Sequence, residues 1–312
     1  MLILQSLDVL PAESGARLDR FLRDRFPGVP SRSVRFAIEG GSVRVGGAAS
    51  PKGRILREGD TVTVASLAEE SDWLPVPCDL PGASVAYEDP HVAVLSKPHD
   101  AHTEPQRPLE AGTLAGYLRM LHPEAAEIAP VPGLTLLTRL DFATSGAVPA
   151  ALTAQAWTFL RHEREMGGIR KRYLCLVEGD VPESIPIDYA INSGGGGAVR
   201  VRKESADPDP CRWTWIEPVK GVGAGRTLVR ATISRGKRHQ IRAHLAAAGH
   251  PIVGDRRYAA VPDEGPGKTR LMLHAEEVTF RHPATGEPLR VVCPPGPEFT
   301  AAWRGQGGTR AP

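Results

Sequence analysis

LLTRLDFATSGAVPAA, residues 136–151, sets one carboxylate, Asp141, in a turn between an apolar run and a Thr-Ser-Gly step. A charge placed there makes a poor core segment, because a buried unpaired carboxylate costs several kcal/mol or has to shift its pKa. With Arg139 before it and Thr144, Ser145 and Gly146 after it, the stretch reads as a site.

Around this segment the chain has 312 residues, enough for a large domain and a small one. No apolar run approaches the length of a membrane span, and MLILQSLDVL has neither a basic start nor a cleavage site, so a cytoplasmic protein is expected. Cys78, Cys175, Cys211 and Cys293 form no C-x-x-C pair and the histidines lack metal spacing, so no metal is expected. The net charge of +2 conceals an asymmetry: residues 65–130 carry three basic and eleven acidic residues, residues 226–258 eight basic and one acidic. Such a basic segment is either a solvated face or a phosphate contact surface, and charge alone does not decide between them.

At the N-terminus, Leu18, Phe21, Leu22 and Phe26 recur at helical spacing, and Val34, Ala37 and Ile38 mark a second short helix. SVRVGG and DTVTV then alternate as strands, with Gly46-Gly47 as the hairpin turn. Arg17, Arg20, Arg32 and Arg35 lie mostly off the apolar stripes. This order resembles an S4 RNA-binding domain, which implies that these four arginines contact RNA; a helical hairpin with solubilising arginines fits the same pattern. Residues 65–83 show no period and carry acids and prolines, so they read as a linker. The glycines at 194–197 lead to no G-K-[ST] and are expected to form a mobile loop rather than a phosphate cradle.

The string R-L-D-x-x-T-S-G strongly resembles the signature of the RluA-like pseudouridine synthases, in which this aspartate attacks the ribose of a uridine in RNA. SRGKRHQIRAHLAAAGHPIVGD, residues 234–255, resembles the second signature of that family, G-R-x-H-Q-I-R-x-H-L followed by G-H-P-I-x-G-D. The resemblance implies that Arg242 pairs with Asp141, a role suited to a guanidinium, whose charge does not titrate. KRYLCLVEG, residues 171–179, resembles the family's K-x-Y-x-A-x-V-x-G strand, implying that Tyr173 stacks on the uracil or relays a proton. LMLHAEEVTF resembles the closing L-H-A segment, where Leu273 packs under the base beside His274.

The catalytic set implied is Asp141, Tyr173 and Arg242. Arg139, Thr144, Ser145, Gly146, Lys171, His239, Gln240, Leu273 and His274 are expected to bind substrate, and Lys237 and Arg238 to join the RNA contacts. Four positions depart from the family: Thr138 replaces His, Ser96 replaces Asn before Lys97-Pro98, Arg238 replaces Thr, and Cys175 replaces a small residue. None removes a catalytic group.

The implied fold is α+β: a large mixed, mainly antiparallel sheet with flanking helices and a central catalytic cleft, plus a small N-terminal αα/β S4-like domain. The expected boundaries are 1–64 for that domain, 65–83 for the linker, 84–303 for the catalytic domain and 304–312 for a disordered tail. The implied function is isomerisation of a specific uridine in ribosomal or transfer RNA, by a monomer needing no cofactor. Two other readings compete: a catalytically silent RNA-binding or ribosome-assembly factor, against which the intact Asp141, Tyr173 and Arg242 speak, and a nucleoside hydrolase, against which the S4-like module and basic segment speak.

Overall fold

The computed structural model describes residues 2–129, 135–192, 199–223, 225–259 and 269–304. The chain divides into two compact units, Met1–Val76 with Pro105–Ala111, and Pro77–Glu104 with Gly112–Pro312.

In the smaller unit, β1 (Leu2–Asp8), β4 (Thr61–Leu67), β2 (Val43–Val45) and β3 (Ala48–Ala49) form an antiparallel sheet in that order. The helices α1 (Leu18–Arg25) and α2 (Ser31–Glu39) bury Leu18, Phe21, Leu22, Val34, Ala37 and Ile38 at the spacing that places them on one face. These side chains meet Val43, Val45, Val62 and Val64 of the sheet in one core. Gly46 and Gly47, at φ 58° and 78°, make the β2–β3 turn, which a residue with a Cβ enters at a cost.

Residues 65–83 are not free linker. The sheet continues to Leu67, and Trp73 is buried with its indole N–H donating to Ser33 Oγ at 2.7 Å. A single aromatic anchor has no period to detect, which is why composition alone suggested a linker. Residues 105–111 also belong to this unit, where the Leu109 N–H donates to the Asp72 carbonyl.

The larger unit is built on β5 (Ser84–Glu88), β6 (Val92–Lys97), β7 (Ser145–Ala151), β8 (Arg170–Glu178), β9 (Ile185–Ile187), β10 (Tyr189–Asn192), β11 (Arg200–Ala206), β12 (Thr214–Gly223), β13 (Arg226–Ile233), β14 (Leu273–Arg281) and β15 (Pro288–Val292). Nine of them form one sheet in the order β5-β6-β7-β14-β8-β13-β12-β9, with β15 beside β14. Its pairings are antiparallel except for β7 with β14, and β10 and β11 form a separate hairpin.

Among the described residues, the α-helices α3 (Leu114–Leu121), α4 (Ala154–Met166), α5 (Gln240–Ala247) and α6 (Pro297–Arg304) accompany it. Thr113 and Thr153 cap α3 and α4, each side chain accepting the N–H three residues on, which satisfies a donor the helix itself leaves unpaired. The glycines at 194–197 and residues 305–312 lie outside the described residues. Among those described, no helix is long and apolar enough to cross a membrane.

The parallel β7–β14 junction positions the site. Ser145 and Gly146 pair with His274 and Ala275, and Ala275 pairs in turn with Tyr173 of β8. Gly146, at φ 115°, lies so close to β14 that a Cβ on it would collide with the Ala275 carbonyl oxygen. Only glycine allows β7 to start here, so the turn bearing Asp141 is delivered to the middle of the sheet.

Candidate active site

The Asp141 turn is held from beneath. Thr144 N–H donates to the Asp141 carbonyl at 3.0 Å. The Thr103 hydroxyl donates to the Leu140 carbonyl at 2.9 Å and accepts the Leu140 N–H at 3.1 Å. Lys97, fully buried, directs its amine to the carbonyls of Pro98, Ala101 and Phe142 at 2.7, 2.6 and 3.2 Å. Burial pushes this amine down to about 7, with Asp100 and Asp141 pulling the other way. Three carbonyls around one nitrogen match the three donors of an ammonium.

Arg242 projects from α5 and joins two carboxylates. Its Nη1 donates to Asp141 Oδ2 at 2.8 Å, while Nε and Nη2 donate to Asp255 at 2.8 and 2.9 Å. Asp255 has no exposed side-chain surface and also accepts the N–H groups of Arg257 and Tyr258. Burial alone lowers the pKa of Arg242, but its bonds to Asp255 and Asp141 more than reverse this. Asp141 keeps about a quarter of its side-chain surface exposed, at 27%. It is therefore a reachable carboxylate fixed by a largely enclosed cation, the Arg242 side chain being 12% exposed.

Tyr173 is buried on β8. Burial first, and the nearby Asp141 second, push its phenol above the ordinary tyrosine range, so it is neutral near pH 7. Phe142, next to the carboxylate, leaves 48% of its surface exposed and packs its ring 4.8 Å from that of His102.

Of the other expected residues, His239 points Nε2 at Asp141 Oδ2 from 3.8 Å. Ser145 and His274 bond to each other at 2.8 Å, the Arg270 guanidinium donates to Ser145 Oγ at 2.8 Å, and the His274 Nε2–H donates to the Cys293 carbonyl. Leu273 is buried and paired with Cys175. Thr144 is buried, with no hydrogen-bond partner for its hydroxyl among the described residues. Lys171 is buried on β8 two residues before Tyr173, and burial pushes its amine down to about 8. Arg139 is exposed, with Glu104 at 3.4 Å.

Gln240 and Lys237 are placed otherwise than the substrate and RNA roles expected of them. The Gln240 amide is buried and donates to the Arg212 carbonyl and Thr214 Oγ1, while its oxygen accepts the Lys237 N–H. It closes the loop into α5, as a helix-entry residue does when it satisfies local backbone groups. The Lys237 amine is engaged by Asp207 at 2.8 Å and by the Ile191 carbonyl, whereas Arg238 is exposed. In the smaller unit, Arg17 pairs with Asp19 and Arg32 with Glu70, Arg20 has Asp24 at 3.8 Å, and Arg35 is exposed.

Sequence reading missed Thr103, Asp255 as the second carboxylate on Arg242, Tyr258 and Arg270. Asp255 ends the segment that carries Arg242, and Tyr258 follows three residues later, so their nearness to that motif was the available signal. Thr103 and Arg270 left none. Among the described residues, no group of three His, Cys, Asp or Glu side chains is placed to hold a metal ion.

The family model for RNA pseudouridylate synthase matches residues 91–247. The ribosomal large subunit pseudouridine synthase C of Escherichia coli K12 is 34% identical over 299 residues, covering 90% of each chain. The protein of that name from Yersinia pestis is 32% identical, covering 94% of this chain and 92% of its own. Among solved structures, human RNA pseudouridylate synthase domain containing 1 matches with a TM-score of 0.57 at 26% identity, over 73% of this chain and 90% of that one. Human RNA pseudouridylate synthase domain containing 4 shares the fold, with a TM-score of 0.53 at 20% identity. Likeness along nine-tenths of its length and a family match that spans the Asp141 turn and Arg242 make the chain a member of the RNA pseudouridine synthase family, an isomerase.

Proposed function

We propose that this protein converts a uridine of large-subunit ribosomal RNA to pseudouridine, with Asp141 acting at ribose C1′. The observation that carries the reading is the reachable Asp141 carboxylate bonded to the part-buried Arg242, which Asp255 anchors from the other side. The choice of RNA is supported by the relatives named for the ribosomal large subunit.

The target uridine leaves its stack and enters the cleft. Asp141 promotes cleavage of the bond between C1′ and N1, whose electron pair leaves with uracil. The retained base turns until C5 faces C1′, the electron pair carried off by uracil forms the C5–C1′ bond as C1′ gives up its positive charge or its bond to Asp141, and N1 takes up a proton as the one on C5 departs, so that the product is an isomer of the substrate. A neutral phenol is no proton acceptor, so Tyr173 holds the ring and orients the water that takes this proton. Leu273 packs beneath the base. Arg139 and Arg238, both exposed, contact phosphates. The N-terminal unit acts as an S4-like RNA-binding domain through Arg20 and Arg35, and the protein works in the cytoplasm as a single chain without a cofactor.

Mapping pseudouridines in total RNA from cells with and without the gene tests this reading. The expected result is loss of one or more sites in large-subunit ribosomal RNA. An unchanged map refutes it.

A further inference from the structure

His239, the residue before α5, has φ 55° and ψ 17°, a left-handed backbone costly for a residue with a Cβ. The strain directs a nearly buried imidazole between two groups. Nδ1 lies 2.9 Å from the Tyr258 hydroxyl, and Nε2 faces Asp141 Oδ2 at 3.8 Å.

Both ends of the ring point to one tautomer. The Tyr258 hydroxyl already accepts the Val199 N–H at 3.0 Å, so its own hydrogen is available to His239 Nδ1. The proton of a neutral ring then sits on Nε2. The opposite tautomer would set the Nε2 lone pair against the carboxylate, acceptor against acceptor. Burial holds His239 below its ordinary pKa, with Asp141 pulling it up and Arg242, Arg238 and Arg257 pushing it down, so the ring is neutral at pH 7. Tyr258 is itself fixed by its N–H on Asp255, and its ring lies 5.4 Å from the Arg242 guanidinium carbon.

We propose that Tyr258 locks His239 as the Nε2–H tautomer, and that this N–H is a second donor to Asp141 Oδ2, closing the 3.8 Å gap when RNA fills the cleft. With Arg242 and His239 both on Oδ2, Oδ1 is the oxygen left to face C1′. Tyr258 and His239 are thus positioning residues for the carboxylate, a role that rests on the function proposed above.

The test uses the full chain and a large-subunit ribosomal RNA transcript, with Tyr258→Phe, His239→Gln and the double variant. A glutamine offers an amide N–H in place of Nε2–H and needs no tautomer lock. Tyr258→Phe is expected to lower kcat about tenfold, the worth of one hydrogen bond, with KM changed less than about twofold. In the His239→Gln background the same change is expected to cost less than about twofold. Histidine 15N NMR of the free protein is expected to show His239 as the Nε2–H form in the wild type and as a mixture in Tyr258→Phe. Wild-type kcat in Tyr258→Phe, an equal loss in both backgrounds, or an unaltered tautomer pattern overturns the proposal. A wild type that forms no pseudouridine on any RNA removes the parent function instead, and the NMR comparison still decides the lock.

Discussion

Replacing Arg242 by lysine keeps the charge and removes the fork, which isolates what the guanidinium geometry contributes. Arg242 makes three charge-assisted bonds of 2.8–2.9 Å, two to Asp255 and one to Asp141. An ammonium is a point donor and cannot bridge both carboxylates. It is expected to stay with Asp255, because that side chain has no exposed surface and leaving it unpaired costs most. Asp141 then loses one hydrogen bond to a charged group, about 1.5–3 kcal/mol. At about 1.4 kcal/mol per tenfold, kcat falls roughly 10- to 150-fold. Asp255 exchanges two bonds for one and retains the Arg257 and Tyr258 N–H groups, so stability falls by only about 1–2 kcal/mol. Single-turnover pseudouridine formation on an RNA substrate, read beside RNA affinity and urea unfolding, separates these effects. Arg242→Lys with kcat within about threefold of wild type, folded and binding RNA normally, would refute the claim that this bond positions the carboxylate.

Other expectations follow from particular contacts. Gly146→Ala forces a Cβ against the Ala275 carbonyl and should destabilise the larger unit by more than about 3 kcal/mol in urea unfolding, by parting β7 from β14. Phe142→Ala should raise KM about 5- to 100-fold with kcat nearly unchanged if the exposed ring stacks on a nucleotide flanking the target; an unchanged KM excludes that contact. Asp89 sets a pH dependence. Burial raises its carboxyl, but bonds from Tyr87, His91, Val92 and His282 outweigh this and bring it from 3.8 to about 2. Being depressed, it contributes stability that is fully present above about pH 4 and lost as pH falls towards 2. After solvent screening this is on the order of 1–2 kcal/mol, and Asp89→Asn should flatten the acid limb of the unfolding curve in that window.

Asp141 and Arg242 were legible because two separated motifs each carried one partner, and the chain between them folds so that two residues 101 positions apart meet at 2.8 Å. The helical stripes of α1 and α2 were equally plain, since their apolar residues repeat at the period of the burial they serve. What escaped depends on single contacts without a period. Trp73 anchors a stretch that otherwise reads as linker. Gln240, inside a matching motif, bonds to the backbone of residues 212 and 213 and to Thr214, which no local pattern reveals. Lys237 sits in a run of positive charge, but its partner Asp207 lies thirty residues earlier. The parallel pairing of β7 with β14 joins strands more than a hundred residues apart, and periodicity carries no information about such neighbours.

The central claim is that Asp141 acts on the uridine, and a single substitution addresses it directly. Asp141→Asn nearly preserves shape and removes the charge. Single-turnover conversion of a large-subunit ribosomal RNA transcript is expected to fall below detection, at least about 10⁴-fold, while RNA affinity stays within a few-fold of wild type. Pseudouridine formation by Asp141→Asn within about tenfold of the wild-type rate would contradict the account.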